Sequence, residues 1–207
     1  MKILRVCSTK FFADSVLDNE INYLLNLGYK IDLICSFDNN NKNYNPDYRQ
    51  INIYIDRKIN PISNIISAIK LYYVIKKGKY SIVHTHNHLT GIIGRVTAKL
   101  AGAKIIIHTA HGFFFHDRLN IIKYYFYFYV EKFVGLFTDL IFKESKEDMF
   151  TVLDKGMLKS SQIAYIGGGI DLNRFDNINN DFVNKIMNKY NINKEDIILG
   201  INARITI

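Results

Sequence analysis

Short apolar runs alternate along this chain with longer segments whose apolar residues return every three or four positions. That is the pattern of parallel strands joined by crossover helices. Residues 2–7 read as a first strand and residues 30–35 as a second. Between them Val16, Leu17, Ile21, Leu24 and Leu25 line one face of a helix over 14–27, which Gly28 stops. Residues 37–50 hold Asn39, Asn40, Asn41, Asn43, Asn45 and Pro46 and form a polar loop. The pattern then predicts a strand over 51–55, a helix over 61–77 opened by Pro61 and closed by Gly78, a strand over 81–84, and a helix over 89–101 ended by Gly102. The apolar run 104–108 is suited to the centre of a sheet. A long helix crowded with Tyr and Phe follows over 119–137, then a strand over 139–142, a helix over 146–155 and a strand over 162–166 that runs into Gly167, Gly168 and Gly169.

The expected fold class is therefore α/β: a Rossmann-like, mainly parallel sheet with helices on both faces. Residues 1–175 form that domain, 176–196 a polar linker with one helical segment, and 197–207 the first strand of a further domain that the chain does not complete. No internal repeat of 20–50 residues is present.

Length and charge narrow the picture modestly. A chain of 207 residues suits one well-buried domain better than two. A formal net charge of +8 favours an anionic partner without choosing among nucleic acid, anionic lipid and a phosphorylated substrate. Cys7 and Cys35 close two predicted strands and have no metal-ligand spacing, which points to a reducing, cytoplasmic setting. The run 3–7 is interrupted by Arg5 and too short for a signal peptide, and no uncharged stretch reaches the ~20 residues a membrane span needs.

In open α/β sheets, ligands bind beyond the carboxyl ends of the strands, near helix N-termini. Three polar clusters fall at such ends: His84-Thr85-His86-Asn87-His88, His108-Thr109-Ala110-His111-Gly112-Phe113, and Gly167-Gly168-Gly169-Ile170-Asp171. His116 follows close behind. Each cluster has a structural reading beside the functional one. His84 and His108 suit half-buried residues bonded to backbone, His86 and His88 suit loop residues, and a glycine triplet suits a plain turn. His111 precedes a glycine that lets the backbone approach a ligand closely. A metal-dependent hydrolase using the His-x-His pair is a competing reading, but the nearest carboxylates, Asp117 and Asp139, do not follow strands. The aromatic helix carries Lys123, Glu131 and Lys132, which exclude a spanning segment. Its tyrosines Tyr124, Tyr125, Tyr127 and Tyr129 suit either core packing or an interfacial position.

At these clusters the sequence resembles the N-terminal domain of the GT-B glycosyltransferases of the large retaining family 4, of the bacterial polysaccharide and lipopolysaccharide type. The resemblance is carried by His84-Thr85-His86, by Gly91-Ile92-Ile93-Gly94-Arg95 with Leu100-Ala101-Gly102-Ala103, and by His108 through Phe113. Thr138-Asp139, Gly168-Gly169-Ile170-Asp171 and Phe175 continue it. Gly168 stands where the family usually has Asn. The resemblance implies sugar transfer from a nucleotide-sugar donor to a lipid-linked or other saccharide acceptor, with retention and with no cofactor or obligatory metal. It implies no nucleic-acid partner. The N-terminal domain then mostly holds the acceptor, through His86, Thr109, Gly112 and Phe113, while His111 approaches the donor sugar as the catalytic candidate. Gly168, Gly169 and Asp171 line the cleft, and Arg204 begins the donor-phosphate site. The first loop, Ser8 to Ala13, lacks the glycine many members have, which argues against tight phosphate approach there. The remaining donor-binding groups of the family lie beyond residue 207, so the chain is expected to be inactive alone and to need a second half, including one encoded separately. A non-catalytic acceptor- or membrane-docking module, peripheral to an anionic membrane, is the alternative.

Overall fold

The computed structural model describes residues 1–37, 45–56, 58–113, 115, 119–169, 179–193 and 195–200. They fall into two compact units, Met1–Gly167 and Gly168–Ile207. The loop asparagines at 39–43, together with His116, Asp117, Ile170, Asp171, Phe175 and Arg204, lie outside the described residues.

The first unit is built on seven parallel strands: β1 (Lys2–Thr9), β2 (Lys30–Ser36), β3 (Arg49–Asn52), β4 (Ile82–His86), β5 (Ile105–Ala110), β6 (Leu140–Lys143) and β7 (Ile163–Tyr165). Their order across the sheet is β3-β2-β1-β4-β5-β6-β7, so the chain reverses its direction of travel between β1 and β4. A ligand crevice opens at such a reversal.

Side-chain alternation along the strands divides the core in two. Leu4, Val6, Val83 and Ile106 point to one face and pack on Leu71 and Ile75 of α3 (Pro61–Gly78) and on Ala98 and Ala101 of α4 (His88–Ala101). Farther along that face, Ala110, Ile141 and Ile163 meet Phe128 of α5 (Ile121–Gly135) and Val152 of α6 (Lys146–Asp154). Cys7, Ile31, Leu33 and Cys35 point the other way, onto Ala13 and Leu17 of a π-helical turn (Ala13–Leu17) and Ile21 of α2 (Asp18–Asn26). The turn is entered through α1 (Lys10–Phe12), which Thr9 caps by accepting a hydrogen bond from the Phe12 amide. Helices therefore lie on both faces, but unequally. Over β5 to β7 the second face carries no helix of this unit among the described residues, and Ile105 is exposed there. The run 104–108 thus forms an interior strand that is covered on one face only.

Other expectations shift for local reasons. The strand expected over 51–55 ends at Asn52, where the Asn52 side chain accepts a hydrogen bond from the Phe37 amide and closes the ladder. The helix expected to start at Asp14 begins at Lys10, because the Thr9 cap comes first. The aromatic helix starts at Ile121, where Asn120 accepts from the Lys123 amide at 2.9 Å.

Helix α4 lies close against the sheet, and two glycines allow it. A Cβ at Gly91 would sit 2.4 Å from the His108 ring, and one at Gly94 would sit 2.7 Å from Thr85 Cγ2. The next residue, Arg95, is fully buried. Its Nε donates to the Gly91 carbonyl at 3.1 Å and its Nη2 to Glu131 of α5 at 2.8 Å, which ties α4 to α5. Glu131 is deprotonated well below the usual carboxylate range: burial opposes its charge, and Arg95 with His88 overcomes that opposition.

The second unit contains α7 (Asn180–Tyr190), capped by Asn179 and stopped by Asn191 at φ 51°. Residues 197–200 form no strand, and Ile197 and Leu199 are exposed.

The close approach of α4 makes a prediction. Alanine is the better helix former, yet Gly91→Ala and Gly94→Ala should each destabilise the fold by ~1–3 kcal/mol through overpacking. Urea unfolding measures this, and unchanged or raised midpoints would show that α4 has room to retreat.

Candidate functional site

The residue that organises the rim of the sheet is Arg5, which sequence inspection marks only as an interruption of an apolar run. It lies in β1, is 1% exposed, and is in register with His84 of β4. A guanidinium removed from water costs several kcal/mol unless charge and hydrogen bonds answer it. Arg5 Nη2 pairs with the Glu20 carboxylate of α2. Arg5 Nη1 donates to His84 Nδ1 and, at 3.3 Å, to His86 Nε2.

Because a guanidinium can only donate, these contacts fix the histidine tautomers. His84 accepts at Nδ1, so its Nε2–H donates to Thr109 Oγ1 at 2.8 Å. His86 accepts at Nε2, so Nδ1 carries its proton, and that buried N–H has no partner among the described residues. Both rings are held neutral, their pKa values well below the ordinary 6.5, first by burial and then by the neighbouring ring and the Arg5 charge.

The rings form a row. His84 stacks on His86 at 4.4 Å between centroids, and His86 stacks on His111 at 5.8 Å. Phe12 of α1 meets His111 edge-on at 5.1 Å and tilts against His86 at 6.1 Å. His111 follows β5 and is the exposed end of the row. Its Nδ1 lies 2.9 Å from Glu144 Oε1, beyond β6. Among the described residues its Nε2 makes no hydrogen bond.

The structure thus brings His86 and His111 to one rim, as the sequence reading required, and it corrects the environments of their neighbours. His84 and His108 are fully buried rather than half-buried, and only His108 bonds to backbone. His108 points to the opposite face, where its Nδ1–H donates to the Thr85 carbonyl at 3.0 Å. There burial first and the Arg95 charge next hold it neutral. His86 is no loop residue but the buried end of β4. Thr109 is buried, and its hydroxyl accepts from His84, so it supports the row from within. Phe113 is drawn toward the core beside Phe115, under Lys143 Nζ at 4.2 Å. Gly112 is open around its Cα. Gly168 and Gly169 belong to the second unit.

Four participants escape the sequence reading: Arg5, Glu20, Phe12 and Glu144. A charged residue in the middle of a buried strand was the available signal for Arg5. The other three come from separate elements and leave no mark in the pattern.

Two further features limit what the site can hold. Three donors of the first loop are already committed. The Ser8 amide donates to Asn87 Oδ1 at 2.9 Å, the Phe12 amide to Thr9, and the buried Lys10 ammonium pairs with Asp14. Among the described residues no group of three or more His, Cys, Asp or Glu is arranged to hold a metal. The lone pairs that a metal would need on His84 and His86 are turned toward a cation instead.

Residues 5–144 match the family model described as glycosyl transferase 4-like. Over 119 residues the chain is 36% identical to the Escherichia coli UDP-Gal:alpha-D-GlcNAc-diphosphoundecaprenol alpha-1,3-galactosyltransferase, covering 58% of this chain and 31% of that protein. It is 28% identical over 167 residues to the Bacillus subtilis protein EpsD, covering 74% of this chain and 43% of the relative. The chain spans less than half the length of these curated relatives. Among solved structures, a glycosyltransferase from Rickettsia africae superposes with a TM-score of 0.64 at 22% identity, over 94% of this chain and 50% of the other. HepE of Anabaena, solved with UDP and glucose, superposes with 0.66 at 11% identity, over 92% and 50%. At those identities the likeness is one of fold.

The buried rings predict a pH dependence. Below the ordinary histidine pKa of 6.5 the unfolded chain takes up protons that folded His84, His86 and His108 refuse. Stability should therefore be full above about pH 6.5 and fall as the pH drops toward the folded pKa values, by up to ~1.4 kcal/mol per pH unit for each ring. Below about pH 4.5 the depressed Glu131 carboxyl adds its own loss in the same direction. Urea midpoints that stay level between neutrality and about pH 5.5 would contradict this account.

Proposed function

Since the chain belongs to the glycosyl transferase 4-like family, we propose that its histidine rim holds the reacting sugar and acceptor in transfer from a nucleotide-sugar donor. The acceptor is a lipid-linked or other saccharide in cell-surface polysaccharide synthesis. The observation that carries this reading is the row His84–His86–His111, buried and neutral at one end and open at His111. Neutral imidazoles of fixed tautomer offer directional donors and acceptors to sugar hydroxyls without binding stray anions. Among the described residues the buried N–H of His86 is unanswered, and Glu144 holds one side of the His111 ring, leaving its Nε2 uncommitted.

In the transfer, the anomeric carbon parts from the donor phosphate and bonds to an acceptor oxygen, whose proton leaves with the phosphate. His111 positions the sugar for that exchange. The committed donors of the first loop support an acceptor-side role for this rim. Phosphate-binding cations then come from elsewhere, Arg204 among them, on this polypeptide or on a separately encoded partner. The E. coli relative is named for a diphosphoundecaprenol acceptor. On this reading the chain works at the inner face of the membrane, as a peripheral protein.

His111 supplies the decisive variant because it is the least buried ring of the row. Calorimetry with a short-chain prenyl-diphosphate sugar should show binding that His111→Ala weakens roughly tenfold, the loss of one good hydrogen bond. Where transfer from UDP-galactose is measurable, the same variant should lower kcat by roughly 10²-fold. His111→Ala that binds and transfers like the parent would remove the rim from the reaction.

A further inference from the structure

Helices α3 and α5 are apolar on two opposite sides. On α3 the core stripe is Ser67, Leu71 and Ile75, each one turn from the last. Directly across the helix, Ile62, Ile66, Ile69 and Tyr73 form a second stripe that is exposed, Ile62 by 75%. On α5 the core stripe is Phe128, Glu131 and Val134, while Ile122, Phe126, Tyr129 and Phe133 face outward, Ile122 by 79%. A surface helix normally turns a polar face to water. Two helices that both turn an apolar stripe outward from one layer make a surface that calls for a partner. Between α4 and α5 that surface dips into an apolar groove of about 580 Å³, lined by Ile92, Val96, Tyr125 and Phe133 among others.

Charge identifies the partner. Lys70, Lys76 and Lys77 on α3, Lys99 on α4, and Lys123 and Lys132 on α5 give this layer a strong positive bias. Its one carboxylate, Glu131, is buried against Arg95 and neutralises nothing outside. A second copy of the chain docked on this face would set lysines against lysines. An anionic bilayer accepts both features: apolar side chains enter the boundary of headgroups and acyl chains, tyrosines sit at headgroup depth, and lysine stems reach the phosphates. No described helix is long and apolar enough to cross the bilayer, so the contact is made along the helices rather than through them.

We propose that the outward face of α3, α4 and α5 is a docking surface for an anionic lipid bilayer. It gives the proposed membrane contact a defined face, yet it rests on the surface alone and stands whether or not the rim transfers sugar.

The test is co-sedimentation of the 207-residue chain with vesicles of phosphatidylglycerol or of phosphatidylcholine, which reads no sugar chemistry. The chain should pellet with phosphatidylglycerol, roughly tenfold less with phosphatidylcholine, and less in high salt. Ile66→Asp and Phe126→Asp should each weaken binding roughly tenfold. Tyr23→Asp, on α2 across the sheet, should leave it unchanged. Circular dichroism confirms folding, and the surface variant Lys70→Glu/Lys123→Glu tests the charge without touching an apolar residue. Equal pelleting with both lipids, or binding indifferent to these substitutions, would overturn the proposal. So would a chain that ignores vesicles, whether it is monomeric or forms a dimer in the ultracentrifuge that Phe126→Asp dissolves.

Discussion

A guanidinium sealed inside a parallel sheet is the constraint from which the rest of this site follows. Arg5 sits on β1 with strands on both sides, where an unanswered charge is costly. The fold supplies one carboxylate, from Glu20, and two lone pairs, from His84 and His86. Glu20 belongs to α2, so the ion pair also fixes how that helix lies on the sheet. The lone pairs belong to imidazoles that must stay unprotonated to provide them, and burial ensures that they do. Tautomers are thereby set before any ligand arrives: His84 spends its proton on Thr109, and His86 keeps one to give.

The same short stretch of β4 serves the opposite face by the two-residue period of a strand. Thr85, between the two histidines, turns toward α4 and accepts the proton of His108. Its methyl group then meets the backbone of α4 at Gly94, and the His108 ring meets Gly91. The close approach of α4 buries Arg95, and Arg95 in turn requires Glu131 from α5. Each face of the sheet thus carries one buried arginine answered by one glutamate from a covering helix. On one face the imidazoles beside it run in a row to His111 at the rim. On the other they are structural.

This division explains which parts were legible in the sequence. The order of strands and helices followed from apolar periodicity, and the rim followed from the rule that ligands gather at strand ends. His86 and His111 meet there as that rule requires. What periodicity could not separate was His84 from His108, since both close a predicted strand with a histidine and differ only in which helix lies beneath. Nor could it recover Glu20 or Glu144, which reach the rim from positions that look like solvated helix and loop. Thr109 and Phe113 had the right address in the chain, but Thr109 lies beneath the row, bonded to His84, and an aromatic cluster draws Phe113 inward. The aromatic helix was read as a choice between core and interface. One of its sides packs in the core, and the opposite side carries a second apolar stripe that is exposed.

Topology joins the outward stripes to the rim. In a parallel sheet with crossover helices each helix begins where the preceding strand ends, so α3, α4 and α5 all start at the edge that carries the histidine row. The apolar pocket lined by Leu89, Ile92 and Phe126 lies at that end of α4 and α5. The step from β4 to α4 takes only Asn87, a residue at φ 61° whose side chain holds the Ser8 amide of the first loop. On one side of that step the chain presents buried imidazoles, and on the other the first turn of a helix in the apolar, lysine-bearing layer. The proposed acceptor, with a polar head and a long apolar tail, would meet its two chemistries in adjacent turns of one polypeptide. That adjacency comes from the order of strands in the sheet, and it would persist under changes of individual side chains on either surface.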